Sequence, residues 1–516
     1  MATVADPNRR RGGIGALVFV ATFAAIAYAV HRDRTGTPQA GGLQQTVPLA
    51  EEDASEGASE KDAPPALPWQ DQLDLAAASL TPITGAAAPG ETAAPAPGDA
   101  TPADSSPAAP AAAPPSADPG SAVYVQALRD GTRIRYTLDP VLQDAALTIF
   151  RNREVPYAAA VVLDLRDNAV LVLAGHSTMD PQVDPLEVAA TAWAPAASTF
   201  KLVTSAALLR TGKVTPATSV CFHGGLRGIT DDLLRDDPKR DKTCATLSAA
   251  VAYSHNVVIA KLALRHLDAD ALRTTARDLG FDRPIPFEFP VERSPIQVPA
   301  DPIERAKMAA GFWHADESPV HGALLASIFA RQGVFQPPHV VAEVRDAAGD
   351  LVYTPDRAPT RVLERKVARA VGRMMVGTTR KGTARASFFD GKGQPFVPGI
   401  DVAGKTGSIT GKRPPALNYN WFIGFAPADE PEIAFAVLLA NEPKWRIKAH
   451  YAARRLVQIY LQRRDEIARN RNVRLAERGV ERFDPSKNGR LAMAADEKPA
   501  PLPPVPGPEP KHRAQP

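Results

Sequence analysis

The sequence predicts a folded region of the α+β class between Ala122 and about Ala468, set between stretches that do not read as packed core. Three observations carry this reading. Strand-like runs stand near the start and the end of the region, and helical runs fill its middle. Large apolar residues become scarce outside it. The 50 prolines of the 516-residue chain cluster, so much of the length is not folded core.

In chain order, residues 1–12 are polar and basic, with Arg9, Arg10 and Arg11 together. Residues 13–30 carry no charge and include Ile14, Leu17, Val18, Phe19, Phe23 and Ile26. That is about the minimum length for a membrane span. The basic flank places the N-terminus in the cytoplasm, although His31, Arg32 and Arg34 follow the span. An uncleaved signal anchor is the expectation. A cleaved signal peptide is the alternative, because Ala27-Tyr28-Ala29 fits a small-x-small site. Residues 31–121 are rich in Pro, Ala, Gly and Ser, a composition that buries too little apolar surface to offset ordering entropy. They are expected to form a disordered linker, with Leu67-Pro68-Trp69 as either a docking patch or an exposed tryptophan. Residues 469–516, charged and then proline-rich, read as a disordered tail.

Within the folded region, Asp139 caps a helix opened by Pro140. Ala158–Leu165 and Ala169–Gly175 form a hairpin across Arg166-Asp167-Asn168. Helical runs are expected at Leu247–Tyr253, Val257–Leu264 and Asp268–Phe281. Met308–Gly311 followed by Ser318–Gly333 reads as a capped helix, and Leu363–Val376 as a helix closed by Gly377 and the Gly382-Thr383-Ala384 turn. Asn418–Phe425 and Ile433–Ala440 are strands. A last helix spans about Ile447–Ala468, with Tyr451, Leu456, Ile459 and Leu461 inward.

A formal net charge of +3 gives no argument for a nucleic-acid partner. Two cysteines do not make a disulfide scaffold, and no metal-ligand spacing is present. In an exported domain Cys221 and Cys244 are expected to pair, with two free thiols as the alternative.

The chemistry concentrates at three places. Ser198 and Lys201 stand three residues apart at the head of an apolar run, Phe200–Leu209, bounded by Pro195 and Gly212. On a helix these positions share a face, so the amine reaches the hydroxyl. A serine hydroxyl needs a base, and a lysine made neutral by burial or nearby charge supplies one. Ser254-His255-Asn256 and Lys405-Thr406-Gly407-Ser408 follow in that order.

Ser198-x-x-Lys201, Ser254-x-Asn256 and Lys405-Thr406-Gly407 together are the motif set of the penicillin-recognising serine enzymes. From about residue 122 to 465 the chain resembles the transpeptidase domain of penicillin-binding proteins. Thr137-Leu138-Asp139 with Gln143, Gly382-Thr383-Ala384 and Trp421–Pro427 also fit that family. The resemblance implies a five-stranded antiparallel sheet flanked by helices, built from the first hairpin and the last three strands, plus an all-helical lobe. It implies a D,D-transpeptidase that cross-links peptidoglycan stem peptides and is acylated by β-lactams. A D,D-carboxypeptidase, a β-lactamase and a non-catalytic β-lactam sensor are the alternatives.

Under that resemblance Ser198 is the nucleophile and Lys201 its base. Ser254 passes the proton to the leaving amine. Asn256 holds a substrate amide, with a helix N-cap as its ordinary role. Lys405, Thr406 and Ser408 bind the substrate carboxylate, and Gly407 lets the strand backbone come close. The backbone amides of Ser198 and Ser408 form the oxyanion hole, and His255 is a spacer. No cofactor, metal or nucleic acid is implied. The implied partners are stem peptides, β-lactams, the membrane through the N-terminal helix, and a cell-wall synthesis complex. The implied place is the bacterial cytoplasmic membrane, single-pass, with the catalytic domain on the periplasmic side.

Overall fold

A computed structural model describes residues 69–82, 122–225, 228–411, 416–443 and 446–477. The basic N-terminus, the 13–30 span, most of the 31–121 linker and the tail beyond residue 477 lie outside the described residues. Among the described residues no helix is long and apolar enough to cross a membrane.

The principal elements are β1 (Ser79–Pro82), β2 (Ala122–Ala127), β3 (Arg133–Tyr136), α1 (Pro140–Asn152), β4 (Tyr157–Asp164) and β5 (Ala169–Ser177). Then come α2 (Pro185–Ala190), α3 (Lys201–Arg210), β6 (Ser219–Phe222), β7 (Thr243–Thr246), α4 (Leu247–Tyr253), α5 (Asn256–His266), α6 (Ala269–Asp278), α7 (Pro302–Ala309) and α8 (Pro319–Ala330). The chain closes with β8 (Val341–Arg345), β9 (Leu351–Tyr353), α9 (Arg365–Arg380), β10 (Ala403–Thr410), β11 (Asn418–Ala426), β12 (Ile433–Asn441) and α10 (Ala449–Glu477).

The expected five-stranded antiparallel sheet is present, in the order β10-β11-β12-β4-β5. Its two faces read directly from the strand period of two. Along β4, Ala159, Val161 and Leu163 join one core, while Ala158, Ala160 and Val162 join the other. The second core is closed by α1 and α10 through Leu142, Ala146, Phe150, Ala453, Leu456 and Val457. The first core is closed by α8 and the helical lobe. Every residue of α8 is buried, which a helix apolar on all sides requires. Asp139 caps α1 by accepting from Leu142 N at 2.9 Å.

Cys221 and Cys244 are disulfide-bonded, directly opposite each other on β6 and β7. Lys261, fully buried on α5, holds the charged loop between these strands through Asp241 at 2.7 Å and Asp236 at 3.2 Å.

Several boundaries differ from expectation. The 302–309 segment is a helix of its own, capped by Asp301, and does not lead into α8; α8 starts at Pro319 under a Ser318 cap. Gly377 does not close α9, which runs on to Arg380. Its lack of a side chain serves packing instead, because a Cβ there would sit 2.9 Å from the Ala252 Cβ. On α10 the buried apolar residues are Ala449, Ala452, Ala453, Leu456, Val457, Tyr460 and Ile467. Tyr451, Ile459 and Leu461 flank that stripe. The helix also continues to Glu477, so the expected tail does not start at 469.

The largest correction concerns the linker. Residues 69–82 are folded onto the domain. Strand β1 pairs with β2 in a second five-stranded sheet, β1-β2-β3-β8-β9. Trp69 is buried against Tyr353, ring centres 4.8 Å apart. Gln126 anchors the segment by accepting from Asp74 N and donating to Gln72 O. Core packing therefore extends beyond the 122–468 span through Trp69. Truncating a buried tryptophan costs about 3 kcal/mol. Trp69→Ala should lower the denaturant midpoint of the full chain accordingly, and an unchanged midpoint would show that this docking carries no stability.

Candidate active site

Ser198 lies on a 3-10 turn, Ala197–Phe200, that runs into α3. The nucleophile candidate is therefore just ahead of the α-helix, not within it. The turn is held on three sides. Trp421 Nε1 on β11 donates to Pro195 O at 2.9 Å. Ala196 N donates to Ala315 O at 2.9 Å. Gly311, with φ of +89°, presses its bare face toward Ala197 O, where a Cβ would come within 2.2 Å.

Lys201, the first residue of α3, is fully buried. Its Nζ is 2.6 Å from Ser198 Oγ, 2.8 Å from Asn256 Oδ1 and 2.6 Å from Ala310 O. A neutral amine has two N–H hydrogens and one lone pair. Two of these three partners are carbonyl oxygens and can only accept. They take both hydrogens, and the lone pair is left for the Ser198 hydroxyl. The electrostatics agree. Burial first, and the Lys405 charge second, hold the Lys201 pKa well below its ordinary value.

Ser254 follows α4 in the left-handed conformation, φ +59°, which turns the chain sharply into α5. Its Oγ accepts from Lys405 Nζ at 3.0 Å. Asn256 is not the N-cap of α5. His255 occupies that position, and Asn256 spends its side-chain carbonyl on Lys201. The His255 ring lies between Phe222 and Tyr253, with centres 5.3 and 5.8 Å away. Burial, then Lys201, lowers its pKa. Both facts suit a packing role.

Lys405 is on β10, the outer strand of the sheet, and is fully buried. Burial brings its pKa down to about 7, so it is only partly charged near neutrality. The adjacent Thr406 hydroxyl meets Thr383 Oγ1 at 2.6 Å, which gives the Gly382-Thr383-Ala384 turn a place in the site. Ser408 is exposed, and its Oγ accepts from Asn420 Nδ2 at 2.9 Å. The open face of Gly407 meets Trp421 and, at 3.4 Å from a Cβ placed there, Ala196 O. Its missing side chain thus lets β10 and the nucleophile turn approach each other.

All eight expected residues fall into one locality. The nucleophile turn packs against β10, and hydrogen bonds link Ser198, Lys201 and Asn256 in one set and Ser254 and Lys405 in another. Sequence reasoning missed the Ala310 carbonyl, Thr199, Glu317 and Asn420. Asn420 ties the site together: its amide donates to Gly407 O and Ser408 Oγ, and its carbonyl accepts from Ala449 N of α10. Among the described residues no cluster of His, Cys, Asp or Glu could hold a metal.

A family model described as the penicillin binding protein transpeptidase domain matches residues 158–459. The chain belongs to that family. The match spans the main sheet, the helical lobe and every residue of the three motifs of this transpeptidase domain. The chain is 26% identical over 345 residues to "Peptidoglycan D,D-transpeptidase PbpA" of Mycobacterium tuberculosis (strain CDC 1551 / Oshkosh), covering 60% of this chain and 68% of that protein. It is 24% identical over 386 residues to "Peptidoglycan D,D-transpeptidase MrdA" of Haemophilus influenzae (strain ATCC 51907 / DSM 11121 / KW20 / Rd), covering 65% and 57%. The crystal structure of PBPA from Mycobacterium tuberculosis superimposes with a TM-score of 0.55 at 22% identity, over 64% of this chain and 83% of that one. That likeness establishes the fold.

Proposed function

We infer that this transpeptidase domain cross-links peptidoglycan stem peptides through a serine acyl-enzyme and is acylated at the same serine by β-lactams. The observation that carries the reading is the Lys201 amine, whose hydrogens are taken by Asn256 Oδ1 and Ala310 O and whose lone pair faces Ser198. That is an amine arranged as a general base.

In the proposed sequence Ser198 Oγ attacks the carbonyl of the penultimate D-alanine while its proton moves to Lys201 Nζ. Backbone N–H groups of Ser198 and Ser408 hold the oxyanion. The C–N bond breaks, and the departing amine receives the proton held by Lys201 Nζ, passed through Ser254, which Lys405 supports at 3.0 Å, so that Lys201 is neutral again in the acyl-enzyme. The terminal carboxylate of the substrate sits by Lys405, Thr406 and Ser408. Its charge raises the fraction of Lys405 that is protonated. An amine of a second stem peptide then attacks the Ser198 ester, forms the new amide and returns the hydroxyl.

The catalytic domain is placed outside the cytoplasmic membrane by a single span at 13–30. The Pro/Ala-rich stretch up to Trp69 and between residues 83 and 121 forms the tether. A cell-wall synthesis complex is its working context.

The test is an assay with a D-Ala-D-Ala stem peptide, with and without an amine acceptor, beside labelling by a fluorescent penicillin. Cross-linked product with acceptor, and label that vanishes in Ser198→Ala, is the expected result. D-alanine release with no dependence on acceptor would make the chain a carboxypeptidase. Label that survives Ser198→Ala would remove the nucleophile assignment.

A further inference from the structure

Glu317 is the residue that the proposed mechanism leaves unused. It is fully buried on a two-residue strand, Asp316–Glu317, that pairs with Ala194–Pro195 just ahead of the nucleophile turn. Its Oε1 has no hydrogen-bond partner. Its Oε2 is 2.7 Å from Thr199 Oγ1, the hydroxyl next to Ser198 in sequence. The same Thr199 Oγ1 is 2.6 Å from Ala196 O.

Those two distances fix a proton count. A threonine hydroxyl has one hydrogen. A carbonyl oxygen and a carboxylate oxygen can both only accept. With Glu317 ionised, one of the two short contacts would be oxygen against oxygen with no hydrogen between. The carboxylate would also be buried with a bare oxygen, which is costly. With Glu317 protonated, both contacts are satisfied in series. The carboxyl O–H donates to Thr199 Oγ1, and the Thr199 O–H donates to Ala196 O.

We propose that Glu317 is a positioning residue for the nucleophile: as an uncharged acid it donates to Thr199, which lets Thr199 close the turn on which Ser198 stands. This rests on Ser198 being the residue acylated. The turn needs such a clasp. Ala197 is held at φ +51°, a region an alanine seldom adopts without support. Ala196 O, the far end of the clasp, is also the atom against which Gly407 of β10 packs. The clasp therefore sets Ser198 relative to both Lys201 and the substrate strand.

The surroundings keep the acid neutral. Burial pushes its pKa up to about 8, against a smaller opposing effect of the Thr199 bond. The facing groups are few. Asp316 beside it is pushed up by burial and by Glu292 of the neighbouring loop. His321 on α8 is held near 4 by burial and is uncharged. Lys201 on α3 and Lys405 on β10 are both pushed down. The paired strand Ala194–Pro195 offers no titratable side chain.

The experiment follows acylation of the full chain by a fluorescent penicillin across the pH range that brackets 8, in wild type, Glu317→Gln, Glu317→Ala and Thr199→Val. A misplacement of about 1 Å at a reacting group can cost 10²-fold. Glu317→Ala and Thr199→Val should acylate about 10- to 100-fold more slowly, with Ser198 still the labelled residue. Wild type should lose rate as pH rises through about 8, when the acid ionises. Lys405 adds its own alkaline loss in every variant; Glu317→Gln, whose amide donates at every pH, should restore the neutral rate and shed the further loss near 8.

A Glu317→Gln profile superimposable on wild type, or Thr199→Val at the wild-type rate, overturns the assignment. Both decide it even where Glu317→Ala fails to fold. Infrared difference spectra at neutral pH give a readout independent of acylation: a protonated-carboxyl band present in wild type and absent in Glu317→Gln. A wild-type chain with the band and no label sinks the transpeptidase reading alone. A labelled wild type without the band sinks the Glu317 assignment alone.

Discussion

Lys201→Ala should slow acylation by penicillin by roughly 10²–10⁴-fold, the usual worth of one positioned general base. The folded chain should persist, because the change removes a buried amine and leaves only two carbonyl oxygens short of a donor. Asn256→Asp makes the sharper test, since it changes charge and keeps shape. In the native site Asn256 Oδ1 accepts from Lys201 at 2.8 Å without adding charge. A carboxylate there would favour the ammonium form and raise the Lys201 pKa.

The sign follows from the base being active only when neutral. Native Lys201 is held low by burial and by Lys405, so the acid-side loss of acylation should come as pH drops through that lowered value. In Asn256→Asp the same fade should move to higher pH, with rate recovering as pH is raised. Stopped-flow labelling against pH reads both. An Asn256→Asp profile superimposable on the native one would mean that Lys201 is not the base.

Much of this site was legible in the sequence because its working groups are side chains with few substitutes. A serine and a lysine three apart, a second serine two before an asparagine, and a lysine with a small neighbour are chemical statements whatever the fold. The hairpin over 158–175 was legible for a related reason: two short, continuous apolar runs rich in Val, Leu and Ala stand on both sides of the polar turn Arg166-Asp167-Asn168.

The Ala310 carbonyl was not legible, because any residue carries one and only the packing of Gly311 on the turn aims it at Lys201. Glu317 was illegible for the opposite reason. The sequence shows a charge-bearing residue, and only burial shows that it is an acid without charge. Trp69 and β1 were hidden by composition. A single tryptophan and a four-residue strand contribute little to a window dominated by Ala and Pro, yet they pair with β2 across a gap of about forty residues. Gly377 was misread because glycine signals both a helix stop and a close contact, and only the Ala252 neighbour decides.

The penicillin adduct on Ser198 should outlast many minutes after free drug is removed. Rapid release needs a base that activates water against the ester, and a carboxylate is the ordinary choice. The interval between Ser254 and Lys405 contains six glutamates, and the structure accounts for each. Glu288 is paired with Arg357 and accepts from Val340 N. Glu292 accepts from Ala192 N, Glu304 from Lys307, Glu343 from Arg345 and Glu364 from Arg210. Glu317 is uncharged and turned to Thr199. The partners of Lys201 are a hydroxyl, an amide and a backbone carbonyl, with no carboxylate among them.

Water attack then has only the Lys201 amine to assist it, with no carboxylate among its partners. Each additional ~1.4 kcal/mol of barrier lengthens the adduct lifetime about tenfold. Intact-protein mass spectrometry after gel filtration should therefore keep the mass of protein plus drug, with the modified peptide containing Ser198. Glu→Gln changes at 288, 292, 304, 343 or 364 should leave that lifetime unaltered in chains that stay folded. Loss of the adduct within seconds, with turnover of a chromogenic cephalosporin, would mean that a hydrolytic base exists and that the chain works as a β-lactamase.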